Sequence, residues 1–133
     1  MRSELEGWVW ERAHGLCEYC RMPQEYDDGV FEIDHIISRQ HDGPTTAPNL
    51  CLCCFGCNHY KGPNLAGWDK ATKTVVRLFD PRRHSWQRHF RWDGPILMGR
   101  TAIGRVTVAV LKINRPLRVL LRTQLIVEGV FPA

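Results

Sequence analysis

The chain alternates short apolar runs with dense turn punctuation. Val30-Phe31-Glu32-Ile33-Asp34 alternates apolar and polar positions, the period of a strand, and His35 stands at or near its end. Residues 38–48 hold Gly43, Pro44, Thr45, Thr46 and Pro48 and read as an irregular loop, and 50–53 read as the returning strand. Ahead of this pair, Ser3-Glu4-Leu5-Glu6 has the form of a capping box, followed by an apolar stripe of Leu5, Trp8 and Val9, with Gly15 placed to end the helix. A short helix is expected near Asn58, stopped by Gly62 and Pro63. Further on, residues 74–79 and 96–98 read as strands and 102–111 as a helix. Trp86 and Phe90 form an aromatic pair at i, i+4. A last helix is expected with Asn114 as its cap, Pro116 in its first turn and a stripe of Leu117, Leu120, Leu121 and Leu125.

A length of 133 residues suits one domain, 1–133, and the 44% hydrophobic, 24% charged composition is that of a folded chain. The longest apolar runs fall far short of the roughly 20 residues that a membrane span needs. The first residues, MRSELEGWVWER, carry charge where a secretory signal would be apolar, so a cytoplasmic, reducing location is expected. The net charge of +4 hides an asymmetry. Residues 1–60 carry four basic and ten acidic side chains, whereas 61–133 carry fourteen basic and four acidic. Fourteen of the eighteen basic residues are arginine, the side chain suited to bidentate phosphate contacts. An acidic half beside a basic half suits a metal site next to a polyanion-binding surface. The same pattern also arises as solvated charge.

Six cysteines sharpen this. Cys17-Glu18-Tyr19-Cys20 and Cys54-Phe55-Gly56-Cys57 are two C-x-x-C knuckles with 33 residues between them, a set able to place four thiolates around zinc. Cys51 and Cys53 are left over on the returning strand as small hydrophobes, although a register in which one of them ligates zinc stays open, as does a redox relay. Between and just after the knuckles come Asp34-His35, Asn49 and Asn58. Phosphodiester hydrolysis needs a base to activate water and a cation to stabilise developing charge. Histidine suits the base role at neutral pH once its other ring nitrogen is held, for example by a carbonyl. Carboxylate and amide oxygens are hard ligands suited to Mg²⁺.

Taken in order, Cys17-x-x-Cys20, Ile33-Asp34-His35-Ile36-Ile37-Ser38-Arg39, Gly43-Pro44-Thr45-Thr46, Asn49-Leu50 and Cys54-x-x-Cys57-Asn58-x-x-Lys61-Gly62 resemble an HNH endonuclease. More narrowly, they resemble the small bacterial HNH proteins with a zinc-bound ββα-metal core. The resemblance covers about residues 10–65, leaving a basic extension at about 66–133. Within the extension, Leu78-Phe79-Asp80-Pro81-Arg82, Trp86-x-x-His89-Phe90 and Gly104-Arg105 are similar to the tail of one subgroup.

The resemblance implies an α+β fold with a Cys₄ zinc site and helices on either side. It implies His35 as general base, Asp34 as a ligand of the catalytic cation, and Asn49 as the residue that orients the histidine by fixing the loop backbone. Asn58 stands where many relatives carry histidine, which makes this an H-N-N variant. His59, one residue on, is the competing ligand and would face about 100° away on a helix. Lys61 either touches a phosphate or is simply exposed, and Arg39, Arg82 and Arg83 would contact nucleic acid. Glu32 is expected to face away from the site by strand alternation. Cofactors would be structural Zn²⁺ and a catalytic Mg²⁺ or Mn²⁺. The expected partner is double-stranded DNA, with no membrane, and the oligomeric state is not legible. Two other readings stay open: a zinc-stabilised nucleic-acid-binding module with a dead site, and an RNase or toxin effector on the same core.

Overall fold

A computed structural model describes residues 3–133, so Met1 and Arg2 of the N-terminal segment lie outside the described residues. The fold is α+β, and the chain divides into two compact units, Met1–Pro63 and Asn64–Ala133.

The first unit starts with α1 (Glu4–Arg12). Ser3 is its N-cap and accepts a hydrogen bond from the Glu6 N–H, as the capping box requires. Of the expected stripe only Val9 is buried, and Trp8 is exposed beneath the Arg12 guanidinium. The helix stops at Arg12, before Gly15. β1 (Glu32–His35) pairs antiparallel with β2 (Leu50–Cys53), matching Asp34 with Cys51 and His35 with Leu50. β1 thus begins two residues later than the alternation suggests and includes His35. Val30 is exposed, while all four residues of β2 are buried. α2 (Phe55–Lys61) begins three residues before Asn58, because Cys54 serves as its N-cap through a sulfur that accepts the Cys57 N–H at 3.4 Å.

The second unit holds two further hairpins. β3 (Ala66–Asp69) pairs with β4 (Thr74–Arg77), and β5 (Phe90–Asp93) pairs with β6 (Ile96–Gly99). α3 (Trp86–His89) runs directly into β5, and Trp86 and Phe90 pack in the core with ring centroids 5.2 Å apart. α4 (Ala102–Val110) is capped by the Thr101 hydroxyl and packs on β6 and β3. Its closest approach is at Gly104, where any Cβ would collide with the His89 carbonyl.

α5 (Pro116–Val127) corrects the sequence reading twice. Its N-cap is Arg115, because the Asn114 amide is committed elsewhere, accepting from Leu97 N–H and donating to Leu97 C=O, both at 2.9 Å. Its expected apolar stripe points inward only in part. Leu117 and Leu120 are 76% and 66% exposed, while Arg122 and Leu125 are buried. Arg122 holds its place by donating to the carbonyls of Pro95 and Ile113 and to Asn114 Oδ1. The arginine-rich half is therefore not all surface. Arg122 is interior, and Arg105 makes a two-pronged pair with Asp69 that holds that carboxyl well below the usual carboxylate range. No helix of the described residues is long and apolar enough to cross a membrane.

Candidate functional site

Two centres lie in the first unit. The four knuckle sulfurs of Cys17, Cys20, Cys54 and Cys57 lie within 4.8 Å of one another, and all four residues are buried. Sulfurs at the corners of a tetrahedron with Zn–S near 2.3 Å are about 3.8 Å apart. Cys20 Sγ and Cys54 Sγ are 3.8 Å apart. The two knuckles are brought together by backbone: Glu18 N–H donates to Leu52 C=O, and the buried Glu18 carboxylate accepts the Leu52 N–H at 2.8 Å. This double clamp hangs the first knuckle on β2 just ahead of the second. Burial pushes the Cys17 thiol well up, and hydrogen bonding with Cys17 followed by burial does the same for Cys54. A dication placed among such thiols reverses that preference and takes them as thiolates, so the cluster can hold zinc. Cys51 and Cys53 are not among the four clustered sulfurs, although Cys53 hydrogen-bonds with Cys17. Burial raises each thiol to about 12, and the Cys51 sulfur lies 3.8 Å from the Tyr19 hydroxyl.

The second centre is built by β1, the following loop and α2. Asp34 faces α2, where Lys61 Nζ lies 3.6 Å from its Oδ2 and 3.5 Å from the His35 carbonyl. That Oδ2 is buried, and its contact with the Lys61 ammonium is a long ion pair. Burial raises the Asp34 carboxyl, and Lys61 opposes the rise. Lys61 is 2% exposed, which corrects the reading of it as a surface lysine: its ammonium is the internal counter-charge of Asp34. Glu32 is corrected as well. Alternation places positions i and i+2 on one face, so Glu32 shares the α2 side with Asp34, and its Oε2 accepts from Asn58 Nδ2 at 2.6 Å. Tying up the amide nitrogen leaves Asn58 Oδ1 as the atom for a cation. His59 is turned outward, exposed and stacked on Phe55 at 5.7 Å. Of the two residues, Asn58 is the one on the face toward β1.

His35 leaves the end of β1 on the other side. Its Nε2 pairs with Thr45 Oγ1 at 2.8 Å, so the group holding the ring is a hydroxyl rather than a carbonyl. Asn49 is buried and closes the intervening loop. Its Oδ1 accepts the Ile37 N–H, and its Nδ2 donates to the carbonyls of Ile37 and Pro44, each at 2.9 Å. The loop is tight enough that a Cβ on Gly43 would strike the Ile37 carbonyl. Arg12 seals its far side, donating to the carbonyls of Ala47 and Leu50. A groove of about 600 Å³ borders this centre, lined among others by Trp10, Phe31, Glu32, Thr45 and Leu50. Arg39 is exposed just after β1, and Arg82 and Arg83 lie in the second unit, where the Arg83 guanidinium is 3.8 Å from Asp80. Thr45 and Glu32 were missed as site residues. Thr45 lies in the quoted Gly43-Pro44-Thr45-Thr46 run, and correct counting of the strand period would have found Glu32.

The clamp on the loop is testable by itself. Asn49→Ala strips three hydrogen bonds and leaves the Ile37 N–H without its acceptor. A loss of about 2–4 kcal/mol in denaturant unfolding is expected. Asn49→Asp, which keeps only the acceptor, should lie between wild type and alanine.

Comparison with known families places the first of these units in context. The family model described as HNH endonuclease matches residues 17–64, which take in both knuckles, β1, the loop, β2 and α2. Searches of curated proteins and of solved structures gave no match.

Proposed function

We propose, since residues 17–64 form a domain of the HNH endonuclease family, that this chain is a metal-dependent endonuclease hydrolysing phosphodiester bonds of DNA, with zinc as a structural ion. The observation that carries the reading is the buried Asp34 carboxylate, paired with Lys61 and facing the helix that bears Asn58, with the His35–Thr45 pair at the end of the same strand. A carboxylate oxygen and an amide oxygen are a donor set that fits a hard dication such as Mg²⁺ or Mn²⁺. When bound there, such an ion supplies electrostatic stabilisation of the charge that develops on the phosphoryl oxygens and on the leaving 3′ oxygen.

The chain's own residues do the rest. Thr45 accepts from the His35 Nε2–H, which leaves the Nδ1 lone pair to take a proton from the attacking water. Asn49 fixes the loop that carries Thr45, so the imidazole is oriented before substrate arrives. Glu32 holds the Asn58 amide with its oxygen toward the cation. Lys61 offsets part of the burial penalty on the Asp34 charge. Arg39, together with the exposed Arg83 and the half-buried Arg82 of the second unit, contacts the polyanion, and this part of the affinity falls steeply with salt.

Three variants test the ligand set. Asn58→Ala should weaken catalytic-metal binding and cleavage, whereas His59→Ala should do little, because His59 stacks outward on Phe55. Asn58→His should stay active and shift preference toward Ni²⁺ or Zn²⁺, since imidazole suits softer ions than an amide does. Metal titrations of cleavage read all three. A dead His59→Ala beside a fully active Asn58→Ala would refute this ligand assignment.

A further inference from the structure

The second unit contains a pocket of about 460 Å³ lined by Arg83, His84, Ser85, Arg88 and His89. Every one of these side chains is a hydrogen-bond donor, and no carboxylate lines the pocket. We propose that this pocket is a phosphate-binding site, a place for a phosphate group that the hydrolytic centre does not use.

The histidines are set as donors by their surroundings. Asp80 N–H donates to His84 Nδ1 at 2.9 Å, and a backbone amide can only donate. The neutral His84 ring therefore carries its proton on Nε2. His89 Nδ1 pairs with Thr101 Oγ1 at 2.6 Å. That hydroxyl accepts the Gly104 N–H and can donate its own proton to His89 Nδ1, the arrangement in which the ring proton sits on Nε2. The two rings stand edge to face with centroids 5.1 Å apart, packed against Phe79.

His89 is only 6% exposed, so a polar ring is built into the floor instead of lying on the surface. The packing of α4 keeps it there, because the missing Cβ of Gly104 lets the helix backbone press against the His89 carbonyl. Arg83 and Arg88 stand exposed at the rim, either side of Ser85, whose hydroxyl caps no helix N–H. Asp80 is the nearby carboxylate. It is shared among Arg77 Nη2 at 3.4 Å, Arg83 Nε at 3.8 Å and the Arg82 N–H, so it orients Arg83 through Nε and leaves the two terminal nitrogens of that guanidinium for an anion. A floor of neutral N–H donors beneath two guanidinium groups is a fit for a tetrahedral oxyanion, whose oxygens only accept. The shared chemistry is the phosphate group. Its source is either a nucleic-acid backbone or a small phosphorylated compound.

The proposal shares Arg83 with the nucleic-acid contacts proposed above but uses none of the hydrolytic residues, and it is tested on the full zinc-loaded chain. Inorganic phosphate is titrated against chloride at constant ionic strength while the histidine side-chain ¹H–¹⁵N signals are followed. Saturable shifts of His84 and His89 are expected, and an Arg83→Ser, Arg88→Ser double variant should weaken them about tenfold or more. Both substituted residues are exposed, so folding should be kept. His35→Ala should bind phosphate like wild type, which separates this site from the hydrolytic one. A short DNA oligonucleotide that displaces phosphate from the same signals marks backbone as the source, and one that does not marks a small phosphorylated ligand. Shifts that chloride reproduces, the absence of saturation, or a double variant that binds like wild type would each overturn the proposal.

Discussion

Replacing His35 by alanine is expected to lower the rate of phosphodiester cleavage by about two to four orders of magnitude, the usual contribution of a general base. The fold should survive. His35 is only half-buried, its one side-chain hydrogen bond goes to the exposed Thr45, and it belongs to no part of the four-cysteine cluster. Zinc content and the unfolding midpoint are therefore controls that should stay close to wild type. Thr45→Val, which removes the ring's partner and keeps the ring, should give a smaller loss. Cleavage rates measured at saturating cation across pH 5–9 read both variants. A His35→Ala protein that cuts DNA at the wild-type rate at neutral pH would show that another group takes the proton.

Removing one knuckle thiolate is expected to have the largest effect on stability. Structural zinc binding is worth about 10–16 kcal/mol in small zinc-folded peptides, and in a unit of this size that is folding free energy. Cys57→Ser should drop zinc well below one ion per chain and abolish cooperative unfolding of the Met1–Pro63 unit. Cys51→Ala is the matched control: it is equally buried, but its sulfur stands by Tyr19 outside the four-sulfur group, so one zinc per chain should remain. Metal analysis with denaturant unfolding checks both. Loss of zinc in the Cys51 variant would move the ligand register.

The grouping of residues in the first unit was legible because it is carried by spacing. The paired knuckles, Asp34-His35 and Asn49 keep their order whatever the exact element ends, and 50–53 was readable as a strand because turn residues bound the apolar run. What failed depended on partners distant in sequence. Asn114 has the composition of a helix cap, but both edges of its amide are taken by Leu97, seventeen residues away, and the cap falls to Arg115. The leucines of α5 looked inward by periodicity, yet its interior face is organised around Arg122, because backbone carbonyls at Pro95 and Ile113 need a donor there. β3 went unseen altogether. Ala66-Gly67-Trp68-Asp69 has weak strand propensity and exists as a strand through its pairing with β4. Glu32 is a different case, since the period that places it beside Asp34 was in plain view and was counted wrongly.

The pairing of Lys61 with Asp34 bears on the charge of the proposed cation site. An isolated carboxylate buried to this degree would favour its protonated form, which cannot ligate a cation well. Lys61, 3.6 Å from Asp34 Oδ2, opposes that shift.

The central claim is that this zinc-stabilised centre cuts a phosphodiester with the help of a second, hard cation. It is tested most directly by stripping loosely held metal with EDTA, confirming that one zinc per chain remains, and following plasmid DNA and RNA as Mg²⁺ or Mn²⁺ is added back. The account predicts no cleavage before the addition, cleavage of DNA that saturates with added cation, and no recovery in His35→Ala. A folded, zinc-loaded protein that binds DNA but leaves it intact with every divalent cation would contradict it.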